Sequence, residues 1–192
     1  MGKMFVIQTG RTTWDDQTRV ESVPGAPLTA LAEGAVREAA RELLAEAISI
    51  VYACEGQAER QTAGLIAEAL GVKIRIDNEL RELDYGLWQG LTREEIKRRQ
   101  PKLYRQWTES PASVRPPGGE TLQEAHQRLR KAMKGILKRH RTGGALIVLR
   151  PLARALTRCL VGGNGIESIR QNAYEPCTWD VFEADLKDLE EN

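Results

Sequence analysis

Two turns in this chain occupy the places where a parallel sheet hands side chains to a reaction. Gln8-Thr9-Gly10-Arg11-Thr12 follows the apolar run Met4-Phe5-Val6-Ile7, and Arg150-Pro151 follows Ala145-Leu146-Ile147-Val148-Leu149. A short apolar run that opens into a turn and a helix is how a buried parallel strand delivers residues at its carboxyl end. Neither turn carries an imidazole or a thiol. The Thr9 hydroxyl is a poor nucleophile without an adjacent base. The chain has only two histidines, His126 and His140. His126 falls beside the apolar face of a long helix and reads as a partly buried helix residue. His140 precedes a strand, at the wrong end of a sheet for chemistry, and reads as a basic helix terminus favoured by the dipole. Cys54, Cys159 and Cys177 show no CxxC spacing, and Cys54 reads as a small buried apolar residue.

The elements that must position these turns alternate along the chain. Residues 5–7, 48–53 and 145–149 read as buried strands. Residues 29–47 read as a helix with Thr29 as its N-cap and Leu31, Ala35, Ala39 and Leu43 on the inner face. Residues 57–70 read as a second helix ended by Gly71. Val72, Ile74 and Ile76 alternate with charged residues, the pattern of a half-exposed strand. Residues 121–139 form the third long helix, with Leu122, Ala125, Leu129, Met133 and Ile136 inward. A helix at 152–161 and a last strand at 178–183 complete the series. Between them, 91–117 reads as an insertion of two short charged helices, 92–99 and 102–109, packed over the sheet's edge or site. The acidic tail, 184–192, reads as frayed. This order predicts a three-layer α/β/α fold with a mostly parallel central sheet. The expected organisation is a single domain over 1–192.

Composition narrows the partners. Lys+Arg is 28 against Asp+Glu 27, a net charge of +1, which argues against nucleic-acid binding through a basic surface. No apolar run approaches the length of a membrane span. An odd cysteine count without a basic-then-apolar leader points to a reducing, cytoplasmic setting.

The framework resembles the histidine phosphatase (phosphoglycerate mutase-like) superfamily. Thr12 and Trp14 match the pattern after its first turn, with Arg11 replacing a Glu. Pro27-Leu28-Thr29 with Gly34, then Gln61-Thr62-Ala63, resemble its next two motifs. Leu80-Arg81-Glu82-Leu83-Asp84-Tyr85-Gly86-Leu87-Trp88-Gln89-Gly90-Leu91-Thr92 is the most similar stretch, and Pro117-Gly118-Gly119-Glu120-Thr121 with Arg128 completes the order. The resemblance implies a nucleophilic His in the first turn, two clamping arginines, a second His after the late strand, and a Glu as general acid. At those positions this chain has Thr9 for the nucleophile, Gln8 and Ala58 for the arginines, and Arg150 for the second His. Only Glu82, the general-acid position, remains. A transferring phosphoryl group needs a cluster of cations around its nucleophile, so the resemblance implies a pseudoenzyme that keeps the fold as a binding or structural partner. The alternative is a weak phosphoester hydrolase or mutase-like enzyme with relocated catalytic residues. The degenerate pocket is Gln8, Thr9, Gly10, Arg11, Ala58, Glu82 and Arg150. No cofactor and no metal is expected. Arg150 is expected to pair with Glu82, or with Arg11 to hold a small anion or phosphoester. A protein partner or a homodimer also fits this reading.

Overall fold

The computed structural model describes residues 3–163, 165–169 and 175–183. A five-stranded sheet runs in the order β3-β2-β4-β1-β5. Its strands are β1 (Lys3–Gln8), β2 (Ile48–Ala53), β3 (Lys73–Ile76), β4 (Gly144–Leu149) and β5 (Trp179–Phe182). All pairings are parallel except β5, which lies antiparallel to β1. Among the described residues the α-helices are α1 (Thr13–Asp16), α2 (Ala30–Leu43), α3 (Gln57–Leu70), α4 (Arg93–Arg99), α5 (Pro101–Glu109), α6 (Leu122–Arg139) and α7 (Pro151–Gly162).

Strand alternation divides the core into two layers. Phe5, Ile7, Leu146 and Val148 face α2 and α3, whereas Met4, Val6, Ala145, Ile147 and Leu149 face α6 and α7. This is the three-layer α/β/α arrangement expected. Local signals set several boundaries as read. Thr29 caps α2 through the Ala32 N–H. Gly71, at φ 66°, ends α3 in the left-handed region that only glycine enters without strain. Thr121 and Glu124 form a capping box at the start of α6.

Three readings are corrected. The inner face of α2 is Ala32, Val36, Ala39, Ala40 and Leu43, and the helix stops at Leu43. Leu31 is 87% exposed, because a row of i+4 steps drifts around a helix of 3.6 residues per turn. Strand β3 is exposed along its whole length instead of half-buried, because it is an edge strand with β2 as its one neighbour. Val72 lies outside it. The insertion forms α4 and α5 as expected, and it drives Ile96 and Trp107 into the core layer shared with α6. The tail at 184–192 lies outside the described residues.

Candidate functional site

The β1–β4 pairing sets the site. Gln8 is in register with Leu149, and the Thr9 N–H donates to the Leu149 carbonyl at 3.0 Å. The two turns named above therefore emerge side by side at the carboxyl end of the sheet. Thr9 is fully buried and Arg150 is 4% exposed. Arg150 Nη1 donates to Thr9 Oγ1 at 3.3 Å.

The Arg150 guanidinium is held by carboxylates from α1 and the loop after it. Nη2 donates to Asp15 Oδ1 at 2.8 Å and to Glu21 Oε2 at 3.1 Å, and Nη1 donates to Asp15 Oδ2 at 3.2 Å. The two carboxylates are themselves fixed. Asp15 closes the capping box of α1 by accepting from the Thr12 N–H, and Glu21 accepts from the Thr12 hydroxyl at 2.6 Å and the Ala26 N–H at 2.7 Å. Burial alone would make the Arg150 cation easier to neutralise, but Asp15 and Glu21 outweigh it and hold the guanidinium firmly charged. The pairing expected with Glu82 does not form as a hydrogen bond. Asp15 and Glu21 reach the guanidinium first.

Glu82 is turned to the backbone instead. Its Oε1 accepts from the Leu83 N–H at 2.7 Å, and its Oε2 accepts from the N–H groups of Leu152 at 2.9 Å and Ala153 at 3.4 Å. Pro151 at the first position of α7 has no N–H. The next two amides are unpaired donors of a helix start, and a carboxylate satisfies them. Burial pushes the Glu82 carboxyl up to about 7, against the pull of these amides and of Arg150. Arg128 fixes the segment that carries Glu82. Its Nη1 donates to the carbonyls of Glu79 at 2.7 Å and Arg81 at 2.9 Å, and its Nη2 is ion-paired with Glu120.

The other expected pocket positions separate. Gln8 is buried, with Oε1 accepting from the Glu175 N–H at 3.4 Å, so it braces the turn before β5. Gly10 donates its N–H to Thr62 Oγ1 at 3.2 Å. A Cβ there would come within 3.0 to 3.3 Å of the side chains of Val36, Leu28 and Ala32, closer than ordinary van der Waals contact, so those side chains would have to give way to it. Arg11 points outward, half exposed and paired with Asp16. Ala58 is an apolar core residue between α3 and the sheet. Arg154, 1% exposed, binds Asp180 and Thr178 and so pins β5.

Three acids were not anticipated at this site. Asp15 and Glu21 bind Arg150 directly. Glu59, 3% exposed, lies close enough for Arg150 to stabilise its charge, while burial, the larger effect, raises its pKa. The Cys54 thiol donates to Glu59 at 3.3 Å, and burial together with that carboxylate pushes the thiol far up, away from reactivity. Asp15 left a signal in the sequence, since Thr12-x-x-Asp15 has capping-box spacing. Glu21 and Glu59 left none.

Beside Arg150 lies a cavity of about 130 Å³. Asp15, Glu21, Glu82 and Arg150 line its buried side, and Arg19 and Arg93 line it from more exposed positions. Tyr85, Trp88, Tyr104 and Trp107 also line it. Trp107 meets both Tyr85 and Trp88 edge to face, with centroids 6.1 and 5.8 Å apart. The insertion is therefore a wall of this cavity, which decides between the two positions expected for it.

Neither histidine reaches the site. His126 lies in α6, buried, with no hydrogen-bond partner on either ring nitrogen. His140 caps the C-terminus of α6 and shares a 2.8 Å hydrogen bond with the Tyr52 hydroxyl. It precedes β4, at the opposite end of the sheet from Arg150. Among the described residues no cluster of metal-ligating side chains occurs. No helix among them is long and apolar enough to cross a membrane.

Residues 4–190 match the family model described as Histidine phosphatase superfamily (branch 1). The chain is 24% identical over 163 residues to Phosphoserine phosphatase 1 of Hydrogenobacter thermophilus, covering 85% of this chain and 77% of the relative. It is 27% identical over 161 residues to the Probable phosphoglycerate mutase GpmB of Salmonella choleraesuis, covering 84% and 74%. It spans 46% of the length of the mycobacterial relatives it matches at 29% identity. The solved structure of Bacillus stearothermophilus YhfR superposes with a TM-score of 0.89 at 21% identity, over 96% of this chain and 92% of that one.

Proposed function

This chain belongs to the histidine phosphatase superfamily, and on that premise we propose that it keeps the fold as a non-catalytic binding protein. The observation that carries this reading is the charge at the sheet's carboxyl end. A phosphoryl group in transfer is stabilised by fixed cations and attacked by an activated nucleophile. Here the deeply buried cation between the two turns, Arg150, is already paired with Asp15 and Glu21. Glu59 and Glu82 add two more carboxyls nearby, and among the described residues Thr9 has no base as a hydrogen-bond partner. Phosphate entering this place would meet anions in a low-dielectric setting, which is repulsive. The relatives named for phosphatase and mutase activities set the expectation that this chain departs from.

A weak phosphoester hydrolase is the second reading, favoured by the Glu82 carboxyl, which holds its proton near neutral pH. The two readings separate in one assay. Purified protein is incubated with phosphoserine and with p-nitrophenyl phosphate, beside the variant Gln8→Arg, Thr9→His, Ala58→Arg, Arg150→His. The non-catalytic reading expects no phosphate release and no acid-labile phosphoprotein from the natural chain. Turnover that disappears in Glu82→Gln would establish the hydrolase instead.

A further inference from the structure

The cavity beside Arg150 is balanced in charge but not in hydrogen bonding. Three arginines (Arg19, Arg93 and Arg150) and three acids (Asp15, Glu21 and Glu82) line it, a formal charge of zero. Every one of these acids is engaged. Asp15 and Glu21 hold Arg150, and Glu82 accepts from the amides of Leu83, Leu152 and Ala153. The arginine donors are less completely used. The Arg150 Nε–H is buried with no hydrogen-bond partner among the described residues, and an acceptor brought by a bound molecule would remove the cost of leaving it unmade. Arg19 is already bonded to Gln17 at 2.6 Å and to the Gly90 carbonyl at 2.7 Å. Arg93 is exposed at the rim, and among the described residues no hydrogen bond or ion pair engages its guanidinium. The rest of the wall is largely aromatic, with Tyr85, Trp88, Tyr104 and Trp107 lining the same space. A flat ring entering it finds faces and edges at which aromatic pairs are favourable.

We propose that this cavity binds a small aromatic carboxylate with an uncharged acceptor oxygen at the opposite end of its ring. The ring lies among the aromatic side chains, the oxygen accepts from the Arg150 Nε–H, and the carboxylate faces Arg93 at the rim. This rests on the non-catalytic reading and supplies its ligand class. The inner acceptor must be uncharged, because Asp15 and Glu21 already neutralise Arg150 and would repel a third carboxylate. Size agrees. A cavity of about 150 Å³ holds benzene, so one of about 130 Å³ is on the scale of a single ring, with the carboxylate at its mouth.

The test titrates the full chain by calorimetry at neutral pH with 4-hydroxybenzoate, benzoate, 4-hydroxybenzamide and inorganic phosphate. Benzoate lacks the inner acceptor and is expected to bind about tenfold more weakly than 4-hydroxybenzoate, as a lost hydrogen bond from a charged donor requires. The amide lacks the charge and is expected to bind about 2- to 5-fold more weakly, the worth of an exposed ion pair. Arg93→Gln, an exposed position, is expected to bring 4-hydroxybenzoate down to the amide and to leave the preference over benzoate intact. Benzoate that binds as tightly as 4-hydroxybenzoate, or inorganic phosphate that displaces it at equal concentration, overturns the proposal, and neither comparison requires a variant. A carboxylate preference that survives Arg93→Gln overturns it as well. Release of 4-hydroxybenzoate from its phosphate ester would overturn the non-catalytic reading, while the binding preferences still supported this site. Absence of those preferences without any release would do the reverse.

Discussion

Replacing Arg150 by methionine tests the central electrostatic claim. The substitution keeps an unbranched apolar stem and removes the guanidinium. It leaves the Asp15 and Glu21 side chains, 12% and 2% exposed, without their shared cation. Glu21 keeps the Thr12 hydroxyl and the Ala26 N–H, and Asp15 keeps the Thr12 N–H, so part of the cost is offset. Removing one partner of a buried ion pair costs about 3–5 kcal/mol, far outside the ±0.5 kcal/mol or so of an ordinary surface change. In a chain of 192 residues, roughly 2–4 °C of melting temperature per kcal/mol makes the expected drop about 6–20 °C. Adding Glu21→Gln to Arg150→Met should restore part of it. Urea denaturation of natural and variant chains at pH 5 and 7.5 reads all of this. A loss under about 0.5 kcal/mol at both pH values would refute the claim that Arg150 is a buried, committed cation.

Three further outcomes are expected. Glu82, labelled at its side-chain carbon and followed by NMR, should titrate at about 7. Because that value lies above the unfolded one, its contribution to stability is complete below about pH 4.3 and is lost as pH rises toward neutrality; a midpoint near the unperturbed value would contradict its burial. His140 shows the opposite sign. Burial, Arg139 and Arg75 lower its pKa, so stability should decline as pH falls through about 6.5. His140→Gln should remove its share of that slope and leave the share of His126, whose pKa burial also lowers, measured by thermal melts across pH 5–8. Gly10→Ala places a Cβ 3.0–3.3 Å from Val36, Leu28 and Ala32, and should cost about 1–3 kcal/mol in urea denaturation, whereas Gly64→Ala, with nothing within 4 Å, should cost nothing.

Much of the fold was readable because its signals are local. Thr29 and Thr121 announce helix starts through side chains that bond to amides three residues on. Gly71 announces a helix end through a conformation other residues avoid. The inward set on α6, from Leu122 to Ile136, is buried as its spacing predicts. Leu31 misled because it satisfies an i+4 row with Ala35 and Ala39 while the helix faces the core through Ala32 and Val36. Spacing identifies a stripe, and packing decides which of two adjacent stripes turns inward.

The site divides along the same line. From the residues alone one could see that no histidine follows either strand, that Thr9 and Arg150 occupy the two turns, and that Glu82 persists in its motif. These facts depend only on which residue follows which strand. The partners of Arg150 depended on the tertiary structure. Asp15 lies 135 residues away in the chain and Glu21 lies 129 away. Glu82 was equally available on paper, but the amides of α7 claim it. The aromatic wall from the insertion joins the site only because α4 and α5 pack over it. Charge balance in a buried place is a property of three-dimensional neighbours, since electrostatic energy falls with distance in space and is indifferent to distance along the chain.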